Sequence, residues 1–189
     1  MDKHQRSPIG NQAIIGYMLD RYRLPTGFEH TVWVSQIQQG LAIEYAVQHW
    51  RRNMPRCMGA LYWQLNDTWP AASWASIDYH GRWKALHYFA KRFFAALLVS
   101  GVEDSESGTV EVHVTCDEAD PAPATLRWRA TDVTGRTLRE EGRDLTPPSR
   151  GSARVETLNL ADLLDAHGRA GVMVWLALER AGVEVSSSC

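Results

Sequence analysis

Two textures divide the chain. In the first hundred residues the apolar positions recur at helical spacing. Ile14, Met18 and Tyr22 fall every four residues, which predicts a short helix over 11–22, preceded by Pro8 and Gly10 and ended at Pro25-Thr26-Gly27. From Thr31 to Asn53 two apolar stripes run together: Val34, Ile37, Leu41 and Tyr45 on one, Ile43, Val47 and Trp50 on the other. A helix apolar on two sides is packed on two sides. Arg51 and Arg52 in its last turn complement the negative end of the helix dipole, and Pro55 stops it. Arg56 to Leu65 then predicts a strand, and Arg82 to Phe94 a helix with Trp83, Leu86, Ala90 and Phe93 on one face.

After Gly101 the period changes from helical to alternating. Val110–Thr115, Thr125–Ala130, Thr137–Glu140, Ser152–Leu158 and Val172–Leu178 read as short strands. The Thr134-Gly135 turn and the Pro147-Pro148 loop separate them, and a short helix is predicted at Leu160–Ala166. Short alternating strands divided by turns indicate a β-sandwich. The Ser186-Ser187-Ser188-Cys189 end leaves that sandwich without a final strand in this reading. Before the change of period, a strand flanked by two helices is the βα unit of a parallel sheet. Gly59 and Ala60 on that strand suit a crowded barrel interior, and Trp63 and Asn66 fall at its C-terminal end, where barrel enzymes build their sites. The expected division is therefore 1–100 and 101–189.

Charge supports a division at that point. The chain has 20 Lys+Arg and 22 Asp+Glu. Residues 1–101 hold 11 of the basic and 6 of the acidic residues, and the remainder is strongly acidic. Opposite signs favour docking of the two parts, although two solvated surfaces of different composition would look the same. No basic stripe interleaved with aromatics is present, which argues against nucleic acid. The longest apolar run, Phe93 to Val99, is too short to span a bilayer, and the polar start Met1–Arg6 is no signal peptide. Cys57, Cys116 and Cys189 have no metal-like spacing and an odd count, and they point to reduced thiols and an intracellular setting.

The candidate chemistry is concentrated in Leu61-Tyr-Trp-Gln-Leu-Asn-Asp-Thr-Trp-Pro70 and its continuation through Trp74 and Asp78 to Gly81-Arg82-Trp83. Four of the chain's 8 tryptophans fall there. Tryptophan offers a broad apolar face and one N–H donor, so tryptophans beside amides and carboxylates suit a sugar ring with C–H faces and hydroxyl edges. An aromatic core segment with polar caps has the same composition. Asn66 and Asp67 either bond sugar hydroxyls or fix the loop as Asx turns. Trp69 and Trp74 either line a pocket mouth or pack under the loop. Gln64, pointing opposite to Trp63, reads as structural. His80 and His87 lack a third ligand at metal spacing and read as surface or hydrogen-bonded histidines.

The run LYWQLNDTWP, followed by ASWASIDYHGRWKALHYFAKRFF, resembles the eighth strand, the following loop and the last helix of the catalytic barrel of β-mannosidases, members of the family 2 glycoside hydrolases. The resemblance extends upstream through His4-Gln5-Arg6, Gly10-Asn11, Ser35-Gln36 and Gln38 to His49-Trp50-Arg51-Arg52, and so covers roughly residues 1–100. It implies a fold of class α/β plus all-β: the C-terminal part of a (β/α)8 TIM barrel followed by an immunoglobulin-like β-sandwich. It also implies that Trp63 walls the sugar subsite at the scissile bond, with Asn66, Asp67, Trp69 and Trp74 as further substrate-binding candidates.

Retaining glycosidases of this kind use two carboxyl groups about 5–5.5 Å apart. In the family both are glutamates, on barrel strands four and seven. Residues 1–101 contain only Glu29 and Glu44, and neither lies in a motif resembling those strand ends. The expectation is a piece of a retaining exo-β-mannosidase that carries no catalytic residue and is inactive alone. Its partners are then a β-mannoside and the remainder of the parent enzyme, and no cofactor or metal is implied. Another family 2 sugar specificity (β-galactosidase, β-glucuronidase or exo-glucosaminidase type) is the alternative within the class. A carbohydrate-binding or structural module is the alternative outside it. Residues 102–189 hold only Trp128 and Trp175 as aromatics, which favours a structural role for that part.

Overall fold

The computed structural model describes residues 4–189; the first three residues of the polar start read at Met1–Arg6 lie outside them. The chain separates into two compact units, one of residues 1–47 with 60–93, the other of 48–59 with 94–189.

The first unit is helical. Helix α1 spans Gly10–Leu19, α2 spans Phe28–Arg52 and α3 spans Ala85–Phe93. Val47, Leu86, Ala90 and Phe93 form its buried core, with Ile43, Ala60, Tyr62 and Phe89 packed against them. Helix α2 meets α3 closely at Gly40, where an added Cβ would lie 2.5 Å from the Phe89 ring. Glycine costs a helix interior about 1 kcal/mol against alanine, and here the missing side chain is the room Phe89 occupies. The last turn of α2, from Gln48, counts with the second unit. There Arg51 donates to the Ala95 carbonyl at 2.7 Å and to Asp117 at 2.9 Å, and Arg52 donates to Ser100 Oγ at 3.1 Å.

The second unit is a sandwich of seven antiparallel strands: β1 Leu97–Asp104, β2 Thr109–Cys116, β3 Ala124–Asp132, β4 Thr137–Leu145, β5 Gly151–Asn159, β6 Val172–Arg180 and β7 Val183–Ser188. One sheet has the order β1-β2-β5 and the other β4-β3-β6-β7. This is the two-sheet arrangement of an immunoglobulin-like domain. Inward residues of both sheets, among them Val112, Val114, Leu126, Trp128, Leu176 and Leu178, make one core. Helix α4, Ala161–His167, crosses from β5 toward β6 and places Leu163 and Leu164 on that core.

Three expectations change against this fold. No strand forms over 56–65; only an isolated parallel bridge, Asn66 to Ile77, occurs at its end. A parallel strand takes its ladder from neighbouring strands, and among the described residues none lies beside it. The sandwich has its seventh strand, since Val183–Ser188 pairs with β6. The expected division at 100/101 falls inside β1, whose residues from Leu97 to Ser100 are all buried. Charge changes sign where the sandwich surface becomes acidic, a few residues after the strand has begun. Residues 105–108 form the turn of the β1–β2 hairpin.

Candidate functional site

The site residues all lie within residues 60–93. Three backbone stretches are knitted together there. Ser76 N–H donates to the Gln64 and Leu65 carbonyls at 3.0 and 3.1 Å, and Ile77 N–H donates to Leu65 O at 2.8 Å. Asp67 N–H donates to Ile77 O at 3.0 Å, and Lys84 N–H to Ser76 O at 2.9 Å. A turn at Asp78–Arg82 closes the knit, with Gly81 at φ +80° as only glycine adopts easily. Asp78 Oδ1 accepts the backbone N–H groups of His80 and Arg82, both at 2.9 Å, and Oδ2 accepts the Arg82 guanidinium at 2.6 Å. The Arg82 backbone N–H, ahead of its guanidinium and the His80 N–H, holds the Asp78 carboxyl below its ordinary range.

On this frame the structure separates the five candidates. Trp63 is 74% exposed and Trp74 60% exposed, so both present aromatic faces outward. The backbone at Trp74 is held, since its carbonyl accepts from Gln39 Nε2 at 2.8 Å. Asn66 is also exposed, and its carbonyl accepts Gln64 Nε2 at 2.7 Å, the structural role expected for Gln64. Trp69 is 37% exposed and has two close neighbours: the His4 ring stacks on it with centroids 6.0 Å apart, and the Arg6 guanidinium lies 5.0 Å from its ring centroid. His4 Nδ1 also bonds the Pro70 carbonyl at 2.8 Å. The Trp63–Gln64 and Met54–Pro55 peptide bonds are cis.

Asp67 is buried, and its carboxylate is committed within the protein. Lys84 Nζ donates to Oδ2 at 2.8 Å, Ser73 Oγ donates to Oδ1, and Lys84 Nζ also reaches Ser73 Oγ at 3.3 Å. The Ala75 N–H completes the cluster by donating to Ser73 Oγ at 3.1 Å. The two aspartates nearest the aromatic cluster, Asp67 and Asp78, are therefore both engaged as loop partners. Glu29 stands exposed in the first turn of α2. Glu44 lies mid-helix, where burial raises its pKa against the lowering pull of Arg92. Sequence reasoning had no signal for Lys84, Ser73 or Ser76, because ordinary polar residues become site supports only through folding. Among the described residues no three His, Cys, Asp or Glu side chains converge as a metal site, and no helix is long and apolar enough to cross a membrane.

Comparison with known proteins shows what the chain is similar to. Residues 108–189 match the mannosidase Ig/CBM-like domain. The β-mannosidase of Mus musculus is 42% identical over 113 residues, covering 53% of this chain and 13% of the relative. β-Mannosidase A of Aspergillus clavatus is 34% identical over 175 residues, covering 88% of this chain and 18% of the relative. The crystal structure of β-D-mannosidase from Dictyoglomus thermophilum superposes with a TM-score of 0.89 at 26% identity, over 100% of this chain and 23% of that one. These likenesses are to β-mannosidases, of the family 2 glycoside hydrolases. The chain is β-mannosidase-like, and it spans less than a fifth of the length of these two curated relatives.

Proposed function

We propose that this chain is the C-terminal part of a retaining exo-β-mannosidase. Residues 1–47 and 60–93 contribute the end of the catalytic barrel, and the unit that carries the sandwich serves as a structural domain. The enzyme removes terminal β-linked mannose through a glycosyl-enzyme intermediate, its two catalytic glutamates lying outside this chain. Trp63 forms one wall of the sugar subsite, with Asn66 and Trp74 beside it; Asp67 and Trp69 serve the site by holding its loop. The observation that carries this reading is an exposed tryptophan at the start of a WQLND segment held by hydrogen bonds of the Tyr62 hydroxyl, the Gln64 and Leu65 carbonyls and the Asp67 N–H. Such a side chain offers a sugar-sized apolar face on a fixed support.

An assay on aryl β-mannosides tests it with two proteins, the purified 189-residue chain and the complete product of the reading frame that contains it. Activity is expected only in the longer protein, with β-mannoside preferred over β-galactoside, β-glucuronide and β-glucosaminide. Turnover by the 189-residue chain, abolished by mutating a residue within it, would overturn the proposal, as would a preference for another glycoside.

A further inference from the structure

Ser76 is fully buried, and its hydroxyl has three partners. The Leu65 carbonyl lies at 2.9 Å, the Tyr62 hydroxyl at 2.9 Å and His87 Nδ1 at 3.1 Å. A serine hydroxyl has one proton to give and two lone pairs to receive with. The carbonyl can only accept, so the serine proton goes to Leu65. Tyr62 must then donate its phenolic proton, and His87 must donate from Nδ1. This arrangement saturates Ser76 and assigns the His87 proton to Nδ1.

Tyr62 and Leu65 bracket Trp63 and Gln64. One buried hydroxyl therefore grips the segment on both sides of Trp63, by a side chain before it and by the backbone after it. Trp63 is largely exposed and draws little orientation from packing of its own ring, so its direction depends on these supports. His87 is in the first turn of α3, with the Trp83 ring 4.3 Å from its own. That contact and the donation from the His87 backbone N–H to the Lys84 carbonyl at 3.0 Å fix where the residue stands.

We propose that Ser76 and His87 are positioning residues for Trp63, with His87 acting as the Nδ1-protonated tautomer. The positioning role rests on the subsite reading of Trp63; the tautomer does not. Nitrogen-15 labelling of histidine in the 189-residue chain reads the tautomer directly, and the neutral ring of His87 should carry its proton on Nδ1. A proton on Nε2 would overturn the bonding scheme. Kinetics are read in the complete enzyme that contains this chain. His87→Leu removes the donor and should lower kcat/KM for an aryl β-mannoside about ten-fold, the equivalent of one ordinary hydrogen bond. His87→Asn places an amide donor near the Nδ1 position and should restore most of the loss. A His87→Leu enzyme with a lowered melting temperature and unchanged kcat/KM would reduce His87 to a fold support and defeat the proposal. A wild-type enzyme inactive on β-mannosides would remove the subsite reading itself, and the positioning role with it, leaving only the tautomer assignment.

Discussion

The backbone N–H of Val99 donates to Ser186 Oγ at 3.0 Å, with both residues buried and 87 positions apart. Val99 lies in β1 of the three-stranded sheet and Ser186 in β7 of the four-stranded one. Val99 faces its ladder partner Val114 on β2, so this bond joins the two sheets through a side chain. Ser186→Ala would leave a buried N–H without a partner. The expected cost is about 1–3 kcal/mol, the desolvation penalty of an orphaned donor. It should appear as a lower urea midpoint with an unchanged slope. Ser187→Ala, an exposed neighbour on the same strand, should stay within about 0.5 kcal/mol. Equal effects of the two changes would show that the Val99 bond contributes nothing specific.

That bond also shows where sequence reading stops. Helices α1, α2 and α3 and five of the strands were legible as elements from their apolar spacing, but the faces they bury were not: Leu41, Tyr45 and Trp50 on the two stripes of α2 are exposed. Strand β7 was not, since Val183-Glu-Val-Ser-Ser-Ser has few bulky apolar residues and earns its place by pairing and by Ser186. Strand β1 was hidden because Leu97, Leu98, Val99 and Ser100 are all buried and do not alternate. The segment 56–65 failed in the other direction: its composition suits a buried parallel strand, and composition cannot supply the neighbours that make one. At the candidate site, the sequence singles out Trp63 by its motif. The support of Ser76, His87 and Lys84 was not legible, because it depends on where hydroxyl, imidazole and ammonium groups arrive in space.

Asp132 caps the β3–β4 turn and supplies a pH prediction. The Thr134 hydroxyl, the N–H groups of Arg136 and Thr134 and the Arg136 guanidinium all donate to its carboxylate and pull its pKa down to about 2. A carboxyl depressed below its unfolded value of about 3.9 adds stability in full above that value. The contribution is lost as pH falls from about 3.9 through about 2. Carbon-13 titration of the Asp132 carboxyl should therefore give a midpoint near 2, and Asp132→Asn should flatten the stability profile over that window. A midpoint near 4 would mean that the turn does not hold in solution as described.

Lys84 and Asp67 make a second kind of test. Their side chains are 14% and 5% exposed, so the pair is largely withdrawn from water. Removing one partner of a buried pair strands the other charge and costs about 3–5 kcal/mol. Lys84→Met should therefore loosen the loop between Asp67 and Ser76 more than it lowers the global melt. The readout is amide exchange at Asp67 and Ser76, whose N–H groups are bonded to Ile77 and to Gln64 and Leu65. Exchange at both should quicken by roughly 100-fold, the equivalent of about 3 kcal/mol of local opening. The double variant with Asp67→Leu should recover much of the protection, because it removes the stranded charge. Unchanged protection in Lys84→Met would show that the loop holds without the pair.

Trp63→Ala in the complete enzyme separates a sugar wall from a packing residue. If Trp63 faces the reacting ring, the change removes a large apolar surface and leaves the catalytic carboxylates in place. Aromatic anchors of this kind cost about 2–4 kcal/mol on truncation. At about 1.4 kcal/mol per factor of ten, that is a loss of roughly 30- to 1,000-fold in kcat/KM. A core tryptophan behaves differently: its loss costs about 3–5 kcal/mol of fold stability, while the molecules that remain folded keep near-normal kinetics. With Trp63 exposed and Tyr62 beside it packed on the helical core, the expected result is a large kinetic loss with a nearly unchanged melting temperature. A lowered melting temperature with normal kcat/KM would place Trp63 in the core of the complete enzyme and end its assignment to the sugar subsite.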